Sequence, residues 1–137
     1  MRRQTLIALA LAALPLAACT KADMQTNTAV TRGKALYQTA CAQCHGSDAR
    51  GGGAASLGLG VPAPDLAGLR QRDDGYFPRE FVRRFVLGML EKDDPDAAMP
   101  DFSQTGLRHG SLGQGSSNAQ LSADLDDLLT YLETIQD

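Results

Sequence analysis

The chain has 137 residues, a formal net charge of −3, no Trp and only 5% aromatic residues. That length suits one small domain, and the acidic balance argues against a nucleic-acid surface, which needs clustered excess basic charge. With so few aromatics, a body of this size buries only a modest core of its own.

Met1, Arg2 and Arg3 give the chain a positively charged start, and residues 6–18 are an uncharged apolar run. The run is too short to span a bilayer as a mature helix and has the layout of a secretory signal. It ends in Leu16-Ala17-Ala18-Cys19, which resembles the lipobox of bacterial lipoproteins. There the cysteine becomes the first mature residue and carries lipid; the plainer alternative is ordinary cleavage that leaves Cys19 as a stray thiol. Residues 1–18 are therefore read as a signal peptide, 19–27 as a flexible tether rich in Thr, Asn and Gln, and 28–137 as the folded domain. Losing Arg2 and Arg3 with the signal shifts the formal charge of −3 to about −5. No other apolar segment is long enough to cross a membrane, so the expected arrangement is a domain held at a membrane surface by lipid.

The first helix is expected over about 28–40, with Gly33, Tyr37 and Cys41 recurring every four residues on one face. Then comes Cys41-Ala42-Gln43-Cys44-His45, the C-x-x-C-H signature of covalent c-type haem attachment. Thiols at that spacing can each add to one of the two vinyl groups of a single haem. The next side chain then lies under the ring, where an imidazole nitrogen can bind iron. A thioredoxin-like dithiol would need a βαβ context, which is lacking, and structural zinc would need four ligands, with only Cys19 and His109 to spare. A haem also supplies the apolar mass that the composition lacks.

Residues 46–64 and 103–120 carry many Gly and Ser and read as loops. A short helical piece is expected over 65–72. A longer helix is expected to start at Pro78 and to continue through Phe81, Val82, Phe85, Val86, Met89 and Leu90. The last helix has Ser122 as its N-cap, Asp124, Asp126 and Asp127 near the positive dipole end, and a stripe of Leu121, Leu125, Leu128, Leu129, Leu132 and Ile135. No alternating run long enough for a strand stands out.

The pattern Gly33-x-x-x-Tyr37-x-x-x-Cys41-x-x-Cys44-His45-Gly46 resembles the opening helix and haem motif of the class I cytochromes c. The resemblance implies an all-α fold of three to five helices around one covalent haem c and its iron, with the first and last helices crossed. The small Gly33 would permit the crossing, against Leu128, Tyr131 and Leu132. It implies a methionine as the second axial ligand, from a loop before the last helix, and Met99 in Ala98-Met99-Pro100 is similar to that loop. Rivals are Met89, expected in the core, and His109, expected at the surface. It also implies that a proline carbonyl accepts from the ligand histidine; Pro62 and Pro64 both qualify. Arg50, Tyr76 and Arg79 are candidates for the haem propionates.

Ligation by His45 and Met99 closes the iron to substrates and leaves transfer of single electrons, so the expected role is a carrier rather than an enzyme. The carrier would be lipid-anchored on the periplasmic side of a bacterial membrane and exchange electrons with redox proteins such as a dehydrogenase, an oxidase or another cytochrome. Two alternatives stay open: a haem relay subunit of a periplasmic dehydrogenase or oxidase complex, and a ligand sensor with an open iron site. Arg70, Arg72, Arg79, Arg83 and Arg84 make a basic cluster, and Glu91, Asp93, Asp94, Asp96 and Asp101 an acidic stretch that would favour a basic partner.

Overall fold

The computed structural model describes residues 14–91, 99–108 and 117–137. Three longer helices are α1 (Leu14–Ala40), α4 (Arg79–Val86) and α6 (Asn118–Thr134). Three single turns, α2 (Ala42–His45), α3 (Leu69–Arg72) and α5 (Phe102–Thr105), and a 3-10 turn at Ala54–Ser56 complete the described elements, with no strand among the described residues. His109, the acidic residues 93, 94 and 96 and most of the signal fall outside them.

Helix α1 begins well before the expected residue 28 and takes in the segment read as a tether. Residues 21–28 are exposed on every side, so local propensity rather than packing carries the helix there. Its hydroxyls fold back onto the preceding turn, Thr26 to the Ala22 carbonyl at 3.1 Å and Thr28 to that of Met24 at 2.8 Å. No described helix is long and apolar enough to cross a membrane.

From Val30 onward α1 packs against α6. Gly33 is buried at the crossing, and a Cβ there would sit 2.0 Å from the Asp127 carbonyl oxygen and 2.8 Å from the Tyr131 Cβ. Any side chain at this position forces the helices apart. The nearest facing residues are Asp127 and the expected Tyr131, while Leu128 and Leu132 fill the core beside them. The Tyr37 and Tyr131 rings meet at 5.5 Å in a tilted pair. Leu125, Leu128, Leu129 and Leu132 are each at most 2% exposed, and such burial stabilises by about 1.5–3 kcal/mol per side chain.

Three boundaries differ from expectation for identifiable reasons. The α6 N-cap is Ser117, whose hydroxyl accepts from the Gln120 amide, and Ser122 is an exposed residue of the next turn. The Asp65 side chain accepts from the amides of Ala67 and Gly68, which turns the chain there and delays α3 to Leu69. Helix α4 stops at Val86 in a Schellman motif, with Gly88 left-handed at φ +65°, its N–H on Phe85 and the Met89 N–H on Arg84. That reversal carries Met89 out to 62% exposure instead of into the core.

Candidate haem-binding site

The motif turn is tied down at nearly every step. The His45 amide donates to the Cys41 carbonyl at 2.9 Å, and the amides of Gly51 and Gly53 return to the carbonyls of His45 and Cys44 at 2.8 and 2.9 Å. The Tyr37 hydroxyl donates to the Gly46 carbonyl at 2.6 Å, which fastens the residue after the histidine to α1. Gly51 has φ +84°, and a Cβ on it would meet the Ala63 carbonyl oxygen at 2.7 Å. The chain turns back tightly there to bring residues 61–64 over the histidine.

His45 is 7% exposed, and its Nδ1 lies 2.9 Å from the Pro64 carbonyl oxygen. A carbonyl only accepts, so Nδ1 carries the proton and Nε2 keeps the lone pair that a metal needs. Burial holds the imidazole pKa below its usual value against the opposing effect of the Pro64 bond, which keeps the ring neutral. Of the two candidate prolines, Pro64 makes this contact and Pro62 lies along the wall of the adjoining cleft.

That cleft opens to solvent. Cys41, Cys44 and His45 border one side of it, and Met99, Pro100 and Phe102 also line it. Leu59, Val61, Pro62 and Phe85 add apolar surface. Its lining suits a mostly apolar ligand held by a few placed polar atoms. Cys41 and Cys44 are not joined to each other, and burial with Cys44 alongside pushes the Cys41 thiol up to about 12. A redox dithiol needs the opposite, a lowered thiol pKa. Two thiols, an imidazole with its ligating nitrogen already selected, a thioether and apolar walls do fit a haem.

The residues suggested for the propionates are engaged elsewhere or point away. Arg50 grips the Asp137 carboxylate with two bonds of 2.9 and 2.6 Å. Arg79 reaches Glu133, Thr130 and the Asp126 carbonyl on α6, and Tyr76 is 76% exposed. Arg83 joins Asp126 at 2.5 Å and Arg72 bonds the Asp65 carbonyl, so much of the expected basic cluster is internally paired.

Sequence reasoning missed two buried carboxylates. Asp124 and Asp127 are 2% and 8% exposed and accept paired bonds from Arg108 and Arg32 respectively, rather than serving the helix dipole. The signal was available: both aspartates fall within the Leu125–Leu128 face of α6 by the 3.6-residue period.

Comparison with known proteins agrees with this site. The Cytochrome c family model matches residues 30–136, which holds every cleft residue named above. No curated protein and no solved structure matches the chain. With that match over most of its length, the chain belongs to the cytochrome c family, all-α electron-transfer proteins that carry covalently bound haem c with its iron.

Proposed function

We propose that the protein carries single electrons through one haem whose iron is ligated by His45 and Met99, and that it works as a shuttle between redox proteins. The observation that carries this reading is the shared cleft: the two thiols, the buried imidazole and the Met99 side chain all border it. When bound, haem iron supplies a one-electron couple between Fe(II) and Fe(III). His45 offers Nε2 because Pro64 occupies Nδ1. The neutral thioether of Met99 favours Fe(II), which raises the reduction potential relative to a second histidine. Phe85, Phe102 and the prolines limit water at the site.

The same reading places a lipid on Cys19 and the domain on the periplasmic side of a bacterial membrane. Its support is the charged start, the apolar run and the small-residue pair before Cys19. The exposed residues 21–28 of α1 then stand between anchor and domain.

Mass measurement of the mature protein with a pyridine haemochrome spectrum tests cofactor and anchor together. One haem and an acylated Cys19 are expected; a mature chain that starts elsewhere removes the anchor. A low-spin ferric spectrum with a sulfur-to-iron charge-transfer band is expected for the ligand pair. A spectrum without the band, or a reduced form that binds carbon monoxide readily, removes Met99 as the ligand. A large subunit that copurifies stoichiometrically turns the shuttle into a relay.

A further inference from the structure

The segment that bears Met99 is a short, self-contained unit. Asp101 caps α5 by accepting from the Ser103 amide at 2.8 Å, and the Gly106 amide closes the turn on the Phe102 carbonyl at 2.9 Å. Phe102 and Leu107 are 3% and 1% exposed and seat the unit in the core. Its last described residue, Arg108, donates from Nε and from a terminal nitrogen to the two oxygens of Asp124, each at 2.6 Å. Asp124 also accepts from the Gln120 amide group at 2.8 Å, so the carboxylate holds three charge-assisted or amide bonds in a site 2% exposed.

We propose that Arg108 and Asp124 form a positioning pair that fastens the Met99 segment to α6, and that the pair thereby sets how readily Met99 yields the iron to a competing ligand. This rests on Met99 as the axial ligand. Apolar contacts at Phe102 and Leu107 slide at little cost, because they have no direction. The planar fork of Arg108 on a carboxylate carried by a rigid helix fixes both register and angle. A thioether is a single soft donor on a flexible side chain, so its hold on a metal depends on how well its backbone is placed.

The molecule contains its own control. Arg32 makes an equivalent pair with Asp127, at 2.5 and 2.9 Å, one turn along the same helix. That pair joins α1 to α6: Arg32 lines a surface groove beside Leu107 and Arg108 and feels the charge of Arg108 weakly, but its hydrogen bonds go to Asp127. A purely structural role predicts similar consequences for breaking either pair; a positioning role predicts that only the Arg108 pair reaches the iron.

The test titrates ferric holoprotein with imidazole and follows loss of the sulfur-to-iron band, in wild type, R108Q, R108K, D124N and R32Q. Removing one partner of a pair whose carboxylate is buried raises the apparent imidazole affinity of R108Q and D124N by about tenfold or more. R108K, which keeps the charge without the fork, falls between R108Q and wild type. R32Q leaves both hydrogen bonds between Arg108 and Asp124 in place and removes only a partly exposed charge nearby, so its affinity rises by no more than about threefold. All variants retain the band when imidazole is absent. An unchanged affinity in R108Q, or an equal rise in R32Q, overturns the proposal while leaving the ligand intact. A wild type that lacks the band overturns ligand and proposal together.

Discussion

The two sides of the haem cleft are built by different means. The histidine side is made by one continuous stretch of chain, in which backbone amides of residues 44, 45, 51 and 53 bond to carbonyls a few residues away and Pro64 closes on the ring. The methionine side depends on partners carried by other elements, above all Asp124 on α6 for Arg108 and the core for Phe102 and Leu107. Local bonding holds His45 as part of its own turn, whereas tertiary contacts hold the segment of Met99, the second ligand we propose, as a docked unit. Perturbing the first side should therefore strike the fold, and perturbing the second should strike ligation first.

The largest expected effect is Gly51→Ala on the histidine side. The residue has φ +84°, and the added methyl meets the Ala63 carbonyl oxygen at 2.7 Å. Left-handed strain and the collision together should cost about 3 kcal/mol of stability, with Pro64 displaced from His45. Denaturant midpoints on the holoprotein would read this, and an unchanged midpoint would contradict the account of a turn that admits no side chain.

Met99→Ala comes next and should behave in the opposite sense. Met99 is only half-buried, so its loss should cost about 2 kcal/mol, the low end for such truncations. Haem stays attached because Cys41, Cys44 and His45 are untouched, while the sulfur-to-iron band disappears. Survival of the band in the variant would move the ligand to another side chain.

How much of this contrast can be read in the chain follows the same division. Cys41, Cys44 and His45 act through spacing of three and four residues, and that is visible in any linear reading. The all-α class, the Gly33 crossing and the apolar stripe of α6 are equally periodic features. The choice of Pro64 over Pro62 depends on how Asp65 turns the chain and how the amides of Leu66 and Ala67 reach the Ala49 carbonyl, at 2.7 and 3.3 Å. No local pattern encodes that. Met89 looked like core because its spacing continues the α4 stripe, yet Gly88 ends the helix one residue earlier. Asp124 and Asp127 read as dipole partners because their arginines lie 16 and 95 residues away.

Acid should weaken the methionine side selectively. Bonding to Arg108, aided by Gln120, holds the Asp124 carboxyl below its usual value, against the opposing effect of burial. A depressed pKa stabilises the fold fully above the unfolded value near 3.9, and the gain is lost as pH falls through the folded value. At pH 7, Asp124→Asn should therefore be less stable than wild type by about 1.5 kcal/mol. The gap between the two should start to close as pH falls below the unfolded value near 3.9 and should close fully only below the lowered folded value. Denaturant midpoints at pH 7, 5 and 3 would measure it, and a gap independent of pH would mean that charge contributes nothing to this pair.

The smallest effect returns to the histidine side and asks whether its bonds act as a set. The Tyr37 hydroxyl, fully buried with its ring, donates to the Gly46 carbonyl at 2.6 Å. Tyr37→Phe removes that bond and keeps the 5.5 Å ring contact with Tyr131, so packing is unchanged. One neutral hydrogen bond contributes about 1 kcal/mol, and Gly46 is partly exposed, so water can replace the donor. Because the amides of His45, Gly51 and Gly53 and the Pro64 contact all survive, the imidazole should keep its orientation and the sulfur-to-iron band its intensity. A spectrum altered by this substitution would show that the turn around His45 is only as firm as its contact with α1, and the contrast between the two sides would then lie in degree rather than in kind.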